Sequence, residues 1–422
     1  MIGRLDPNHR EVTVIGAGIS GLLVAYTLKK RGFKVRVFDS ASRAGGLIET
    51  RTTAFGPAET AAHSLMVNPD VSAFFSELGI ELEAVHPESK ARFIYRNGKM
   101  RRFPLTFLET LRTIWRFFSK PAHPIDPTRA TLAEWARAHL GEPVLKNLLA
   151  PFVTGVYAAT PEELRLATAF PSLVPSDPRR SLFWNFLEAR RKPGPKKTRP
   201  KMMTPKGGME SVILRLQAVL GPDLVLNQPI QELPEVPNLV VCVPPPELAR
   251  LIQKHDPASA SALRSVSSSP LVTVTAFAKG TDFRNGPPKG VGVLIPRNEG
   301  LRILGVLFNS SSFSGRVLHP GTVSMTVMLG GTTDPGALRL GDEEITGLIV
   351  QELGLLLGFQ GNLLHREITR WDSAIPLYSG TLDGVRGLLS KGFFSKQGRI
   401  LFTNYSKEVS IRGMIDTLRL LS

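Results

Sequence analysis

The N-terminal part of the chain alternates short apolar runs with glycine-rich turns. Val12 to Ile15 is a β-branched run typical of a buried parallel strand, and a helical spacing of apolar residues follows and ends at Lys30. A second run of alternating character, from Lys34 to Phe38, ends at Asp39. The order strand, turn, helix, strand predicts an α/β fold that begins with parallel strands.

Three glycines lie between the first predicted strand and the helix, in the segment Gly16-Ala17-Gly18-Ile19-Ser20-Gly21. In this context the first glycine permits a tight turn, the second lets the backbone approach a pyrophosphate, and the third lets the helix lie close to the strand. The helix N-terminus would direct its partial positive charge at the phosphates. Asp39 follows by about 20 residues, where a carboxylate can bind the hydroxyls of an unphosphorylated adenosine ribose. The segment predicts dinucleotide binding.

A second glycine pair indicates which dinucleotide is bound. Asp39 and Ser40 are followed by Arg43 and then by Gly45-Gly46-Leu47. A nicotinamide dinucleotide has no use for a further glycine pair here, whereas a longer cofactor needs backbone room for a ribityl chain and a flavin. Glycines in a strand-turn-helix unit can also be turn chemistry alone. Because the strand, the glycines, the acid and the second pair agree, we interpret the segment as a flavin-dinucleotide site.

The rest of the chain falls into segments with different patterns. Asp223 to Ile230 and Leu239 to Val243 predict further strands of the cofactor domain, whereas residues 271–329 alternate β-type runs with Gly and Pro turns, typical of an antiparallel sheet. Together with the family resemblance described below, these segments imply an α/β architecture with a discontinuous Rossmann-like FAD-binding domain, a mixed-sheet substrate domain and a helical insertion. The predicted units are residues 1–85, 202–265 and 398–422 for the FAD-binding domain, 86–181 for the insertion, 182–201 for a basic linker and 266–397 for the substrate-binding domain.

Composition limits the partners. The 422 residues include 52 Lys and Arg against 36 Asp and Glu, a formal charge of +16 that favours an anionic partner such as nucleic acid, acidic lipid or an acidic small molecule. The most basic tract, Arg190 to Lys206, has no aromatic residue on which a base could stack, so no nucleic acid partner is expected. Cys242, the only cysteine, suits a reducing compartment and is interpreted as a small core residue. Without a secretory signal or a long uncharged apolar stretch, the expected location is cytoplasmic.

One amphipathic tract leaves two interpretations open. From Phe107 to Phe118 apolar residues recur at helical spacing on one face, with Arg112 and Arg116 on another. The tract is either a core-facing helix or a helix on an acidic membrane surface, with Trp115 at the interface. The second interpretation would make the protein peripheral on the inner face of the membrane. The sequence also leaves open whether the chain forms a homodimer.

Other chemistries lack their motifs. The eight histidines are scattered without the spacing of metal ligands, and neither G-x-S-x-G nor H-E-x-x-H is present. Hydrolytic and metal chemistry therefore lose support. No catalytic side chain is predicted, because a flavin would itself carry the chemistry.

Together with the glycine motifs, several later segments resemble the protoporphyrinogen oxidase family of the FAD-dependent amine oxidase superfamily. The resemblance spans nearly the whole chain. Its segments are Arg92 to Lys99, Pro151 to Ala158, Pro205 to Met209, Gly292 to Pro296, Leu304 to Phe308, Met328 to Gly331 and Arg370 to Trp371. The chain departs from the family in having Asp39 for the usual Glu, and Thr403, Lys407 and Glu408 for three glycines of the last motif.

The resemblance implies FAD as the cofactor and assigns roles to matching positions. Cofactor contacts are implied for Ala61, Ala62, His63, Ser64, Ile230, Trp371, Asn404, Val409, Ser410 and Ile411. Leu294 and Met328 match the apolar residues on either side of the tetrapyrrole, and Arg92 matches the arginine that meets a propionate.

The expected activity is therefore FAD-dependent oxidation of a porphyrinogen in haem biosynthesis, with oxygen as the acceptor. The substrate would be protoporphyrinogen IX or coproporphyrinogen III, which the motifs do not separate. One alternative is another flavin amine oxidase or a carotenoid desaturase-like oxidoreductase. The other is a flavin-poor protein that binds a tetrapyrrole without turnover, since the lost glycines alter the usual surroundings of the flavin.

Overall fold

The fold is that of a computed structural model, which describes residues 1–191, 198–406 and 410–419. The strands of this part of the chain are β1 Ile2–Arg4, β2 Glu11–Ile15, β3 Lys34–Phe38, β4 Thr50–Thr52, β5 Pro57–Glu59, β6 Leu65–Val67, β7 Leu82–Ala84, β8 Arg92–Arg96, β9 Lys99–Arg101, β10 Lys201–Pro205, β11 Leu224–Val225, β12 Asn238–Val241, β13 Ser268–Lys279, β14 Gly292–Leu294, β15 Gly305–Leu307, β16 Thr322–Gly330, β17 His365–Pro376 and β18 Arg399–Leu401.

The α-helices of the same residues are α1 Ile19–Lys30, α2 Pro69–Glu77, α3 Phe107–Phe118, α4 Leu132–His139, α5 Glu142–Val144, α6 Ala150–Tyr157, α7 Leu166–Ala169, α8 Leu182–Arg191, α9 Glu210–Leu220, α10 Pro245–Ile252, α11 Pro257–Leu263, α12 Asn309–Ser312, α13 Asp342–Leu357, α14 Gly380–Lys391 and α15 Ile411–Arg419. A π-helical stretch, Leu145–Leu149, joins α5 to α6.

The first sheet has the strand order β1-β18-β12-β2-β3-β11. All of its pairs are parallel except β1 with β18, as predicted for a dinucleotide-binding α/β fold. β11 is shorter than the predicted strand from Asp223 to Ile230, because Asn227 takes a positive φ of 56° and turns the chain toward the end of β3. The sheet draws its strands from the start, the middle and the end of the chain.

The second large sheet has the order β17-β13-β16-β15-β14-β8-β9. Its strands alternate between two faces: Val272, Val274 and Val327 belong to the same buried core as Ile345 and Ile349 of α13. The other face carries threonines, a methionine and a leucine and turns toward the first sheet. The hairpin β8–β9 is part of this sheet, although residues 86–181 were predicted as a helical insertion, because β8 pairs in parallel with β14.

The predicted basic linker, residues 182–201, begins with α8 instead of an extended segment. Phe183 of this helix contacts Phe118 of α3, with ring centroids 4.8 Å apart and ring planes tilted by 40°. Residues 192–197 of that segment lie outside the described part of the chain. The domain boundaries themselves remain a prediction.

Candidate active site

A cleft of about 590 Å³ lies at the carboxyl ends of β2, β3 and β12, facing the second sheet. Three helices begin there within the described residues, at Ile19 of α1, Pro245 of α10 and Ile411 of α15. Each helix directs its partial positive charge into the cleft. α1 and α15 also direct backbone N–H groups there, whereas α10 begins with Pro245 and Pro246, which have none. Of the described residues that line it, Asp39 and Glu247 carry a charge. The three helix ends can therefore bind an anionic group such as a pyrophosphate.

The glycine turn combines one open position with one tightly packed position. A β-carbon on Gly18 would have one atom within 4 Å, the Cα of Gly46 at 4.0 Å, so the space above both residues is free for a ligand. A β-carbon on Gly21 would lie 1.8 Å from the carbonyl oxygen of Gly16, so α1 can contact the turn only through a glycine. A dinucleotide therefore fits beside Gly18, whereas Gly21 is needed for packing.

Asp39 holds the turn as well as facing the cleft. Its Oδ2 accepts a hydrogen bond from the N–H of Ala17 at 2.6 Å, and its Oδ1 accepts from the N–H of Ala41 at 2.8 Å. Each carboxylate oxygen retains acceptor capacity that a ribose hydroxyl could use. The Asp39 side chain, one methylene shorter than the Glu usual in the family, is thus hydrogen-bonded to the backbone on both sides at the point where the cleft begins.

Arg43 lies behind its own loop and is not one of the described lining residues. Its guanidinium donates to the carbonyl oxygens of Ile48 and Gly46, each at 2.7 Å. These bonds fold the loop so that Gly45 and Gly46 face the cleft. Arg43 therefore shapes the site without contacting it.

The structure brings most of the predicted cofactor residues to one cleft. The predicted residues that line it are Gly16, Gly18, Ile19, Ser20, Asp39, Ser40, Gly45, Gly46, Leu47, Ala61, Ala62, Ile230, Trp371, Asn404 and Ile411. Ala17 and Gly21 support the turn from behind. His63 and Ser64 line a separate cavity of about 30 Å³. Ser410 accepts the N–H of Gly413 at the start of α15, and Val409 lies outside the described residues.

Sequence reasoning missed several lining residues. Gln228, Pro244, Glu247 and Thr273 face the cleft, as does Cys242, which was interpreted as a core residue. The run of three prolines after β12, Pro244 to Pro246, was an available signal, because ligands of such folds bind beyond the carboxyl ends of parallel strands. Thr273 had no signal, since it reaches the cleft through the pairing of distant strands. Burial raises the pKa of the Cys242 thiol, which keeps it protonated.

The segment that joins β5 to β6 is hydrogen-bonded to the second sheet. The carbonyl oxygen of Thr60 accepts hydrogen bonds from Nε1 of Trp371 at 3.0 Å and from Oγ1 of Thr273 at 3.1 Å. Burial, and then the charge of Arg316, lower the pKa of His63 to about 3, so its imidazole is neutral near pH 7. His63 therefore has no proton to donate at that pH beyond its single ring N–H.

One of the replaced glycines is accommodated inside its own turn. Thr403 is buried, and its Oγ1 accepts the N–H of Ser406 at 3.1 Å, while Oγ of Ser406 donates to the carbonyl of Thr403. Its hydroxyl is thus satisfied by the protein. Lys407 and Glu408 lie outside the described residues.

The family model described as flavin containing amine oxidoreductase matches residues 19–385. The chain belongs to this family. FAD is accordingly the cofactor of this flavin-containing amine oxidoreductase, which is an FAD-dependent oxidoreductase. The open glycine turn and the three helix N-termini fit that dinucleotide.

Curated relatives and solved structures agree with the family. The chain is 26% identical to protoporphyrinogen oxidase 2 of Arabidopsis thaliana, over 91% of this chain and 89% of the relative. It is also 26% identical to coproporphyrinogen III oxidase of Mycobacterium leprae, over 87% and 88% of the two chains. A structure from Exiguobacterium sp. 255-15, provisionally named a protoporphyrinogen oxidase, matches with a TM-score of 0.76 at 18% identity over 99% and 100% of the chains. Reduced UDP-galactopyranose mutase matches with a TM-score of 0.74 at 15% identity over 98% and 94%. These two likenesses establish the fold.

Proposed function

We propose that this oxidoreductase binds FAD in the cleft and oxidises a porphyrinogen, protoporphyrinogen IX or coproporphyrinogen III, in haem biosynthesis with oxygen as the electron acceptor. The observation that carries the proposal is an apolar sheet surface that begins at the cleft and ends at an exposed arginine. A flat, apolar substrate with carboxylate side chains has both features.

The surface follows one row of cross-strand neighbours in the second sheet. Thr273, which lines the cleft, is the register partner of Met328, and Gly305 lies between Met328 and Leu294. Directly paired residues project from the same face of a sheet. A β-carbon on Gly305 would be 3.4 Å from Cε of Met328 and 3.3 Å from Cδ2 of Leu294, so these two side chains meet above it. The row therefore forms continuous apolar contact area beside the cleft.

Arg92 lies at the outer edge of the same face. Ile94 is the register partner of Leu294, and Arg92 precedes Ile94 by two residues, so both point to the same side of β8. Arg92 is exposed, and its guanidinium can reach a carboxylate at the rim of a substrate that rests on Leu294 and Met328. The three residues that matched the substrate positions by resemblance are thus on one surface, although none of them lines the cleft.

Bound FAD supplies a two-electron acceptor. The chain contributes position and environment: Met328 and Leu294 offer polarizable and aliphatic contacts to the ring, and Arg92 fixes its carboxylate edge. Excluding water from this face favours an apolar substrate.

The two porphyrinogens are to be separated by experiment. Relatives named for each of them are equally similar to this chain, at 26% identity. Purified protein saturated with FAD should convert one or both porphyrinogens to fluorescent porphyrin in air, with slower conversion when oxygen is removed. Met328→Asp should abolish conversion and leave FAD binding intact, because it places a carboxylate against the ring.

Met66→Asp provides the matched control, since Met66 is exposed on the small sheet β6-β10-β7. Wild-type protein that binds FAD but oxidises neither porphyrinogen would contradict the proposal and favour an amine oxidase or a desaturase. Protein that binds a porphyrin without FAD would favour the flavin-poor binding protein.

The proposal includes peripheral attachment to an acidic membrane surface. No residue of α3 is buried, so the core-facing interpretation of this helix fails within the described chain. The exposed side chains of its apolar face are Phe107, Leu108, Leu111, Ile114, Trp115 and Phe118. Arg112, Arg116 and Lys120 are exposed beside them, as required for anionic headgroups.

The orientation of α3 is fixed by its start. Thr106 and Glu109 form a capping box, and both terminal nitrogens of Arg96 donate to the Glu109 carboxylate, at 2.8 and 2.9 Å. This ion pair lowers the pKa of Glu109 to about 2. The apolar face is therefore presented outward by a fixed helix. In the described residues, no helix has the length and apolarity needed to cross a bilayer.

A further inference from the structure

A buried ion pair joins the cleft to the second sheet. Arg316, in the loop between α12 and β16, is 5% exposed, and Glu59, the last residue of β5, is 4% exposed. Nη1 of Arg316 lies 2.8 Å from Oε1 of Glu59. Two charges so completely removed from water depend on each other, because either one alone would be buried without compensation.

The same guanidinium holds both ends of one short segment. Nη2 of Arg316 donates to the carbonyl oxygen of His63 at 3.3 Å and to Oγ1 of Thr204 at 2.7 Å. At the other end, Oε1 of Glu59 also accepts the N–H of Met209 at 3.0 Å, and Oε2 accepts the hydroxyl of Thr50 at 2.7 Å. Between Glu59 and His63 lie the residues whose backbone and side chains face the cleft.

We propose that Arg316 is a positioning residue for FAD, holding residues 59–63 so that Ala61 and Ala62 form a fixed side of the cofactor cleft. Arg316 itself is not a described lining residue of that cleft. The proposal rests on the assignment of this cleft to FAD. It adds a residue of the substrate-side half of the chain to the requirements for cofactor binding.

The two partners of the pair should fail in different ways. Arg316→Met leaves Glu59 as a buried anion, which a proton can neutralise as the pH is lowered. Glu59→Gln leaves a buried guanidinium, which does not lose its charge at any pH a protein tolerates. Weakened FAD binding should therefore recover in part at low pH in the first variant and not in the second.

The neighbouring charged groups do not imitate this behaviour. The pKa of His63, about 3, keeps its imidazole neutral across the pH range of the test. Glu210 accepts the N–H of Thr50 at 3.3 Å and is present in every variant, so it does not distinguish them. Arg51 and Glu49 flank Thr50 and pair with each other at 3.2 Å.

The experiment measures the FAD dissociation constant from flavin fluorescence at about pH 8 and about pH 5.5. Arg316→Met should weaken FAD binding by about tenfold or more at the higher pH, given the usual cost of breaking a buried pair. At the lower pH it should recover only the part of that loss that comes from the unpaired Glu59 anion. Glu59→Gln should be weakened at both. The double variant, which buries no charge but lacks the guanidinium bonds to His63 and Thr204, should still bind FAD about tenfold more weakly than wild type at both.

Arg302→Met is the matched control, because it removes an ion pair with Asp334 of 2.8 Å inside the substrate half. It should leave the FAD dissociation constant unchanged. The proposal is overturned if Arg316→Met or the double variant binds FAD like wild type, since the weakening would then come only from a buried charge. Should Arg316→Met not fold, the double variant alone decides by the same criterion. Wild-type protein with no affinity for FAD would instead overturn the assignment of the cleft.

Discussion

Replacing Gly18 by valine separates cofactor binding from folding. Gly18 has φ −66° and ψ 174°, an extended conformation that valine readily adopts. A β-carbon there meets one atom within 4 Å, the Cα of Gly46 at 4.0 Å. The valine side chain therefore fits the FAD-free protein but occupies the space above the turn that a pyrophosphate needs.

The expected sizes of the two effects differ widely. The free energy of unfolding of the FAD-free protein should change by no more than about 1 kcal/mol, since no contact is lost and the unfolded chain loses some freedom. That corresponds to a shift of about 4 °C or less in the unfolding temperature. Displacing the pyrophosphate removes hydrogen bonds to a charged group of about 1.5–3 kcal/mol each. The loss of two such bonds weakens FAD binding by roughly 10²- to 10⁴-fold.

The assay combines FAD titration with thermal unfolding of the FAD-free protein. Gly21→Ala is the companion variant, because its β-carbon would lie 1.8 Å from the Gly16 carbonyl oxygen. This overpacking should lower the free energy of unfolding of the FAD-free protein by on the order of 1–3 kcal/mol or more. The FAD-free variant should therefore unfold at a distinctly lower temperature than wild type. The reasoning is refuted if Gly18→Val retains wild-type affinity for FAD, or if its FAD-free form is destabilised as much as Gly21→Ala.

Three further outcomes are expected. Arg92→Ala should lower kcat/KM for the porphyrinogen, measured by porphyrin fluorescence, by on the order of 1.5–3 kcal/mol of transition-state stabilisation, with no change in FAD content. The control Lys99→Ala, on the same hairpin, should leave kcat/KM unchanged. Wild-type kinetics of Arg92→Ala with both porphyrinogens would exclude Arg92 as the carboxylate anchor. Wild-type protein should float with acidic liposomes, and less of it should float at about 1 M salt, where the Debye length is roughly 3 Å. Trp115→Glu should float less than the control Leu388→Glu. Equal flotation of these two variants, together with a dimer in light scattering, would assign the α3 face to a second copy of the chain. The pKa of His63 lies at about 3 in the folded chain and near 6.5 when the chain is unfolded. The free energy of unfolding should therefore fall by up to about 1.4 kcal/mol per pH unit as the pH drops from about 6.5 toward 3. This fall should be smaller in His63→Asn, and an equal pH dependence of unfolding in the two proteins would contradict the buried neutral imidazole.

Local sterics made the cofactor turn predictable from the sequence. A strand, a turn with Gly16 and Gly18, and a helix closed by Gly21 involve contacts between residues close in the chain, so composition and spacing are sufficient. The same holds for Asp39 at the end of β3, whose carboxylate reaches back only to Ala17. For these elements the predicted bounds of α1 and β3 agree with the structure.

The other side of the site depends on contacts between distant parts of the chain. Arg316 and Glu59 are separated by 257 positions, and no periodicity or motif links them. Thr273 reaches the cleft because β13 is paired on both sides, with β16 and β17, and a one-residue shift in that register would turn it toward α13.

Helix α3 likewise shows what the sequence predicts and what depends on the tertiary structure. Apolar residues at helical spacing predict the helix from Phe107 to Phe118, because periodicity depends on the helix alone. The same pattern serves a helix packed in a core and a helix on a surface, so the sequence left both open. The tertiary structure adds that the apolar face of α3 is largely exposed among the described residues, because Arg96 holds the start of the helix and Phe183 contacts Phe118 at its end.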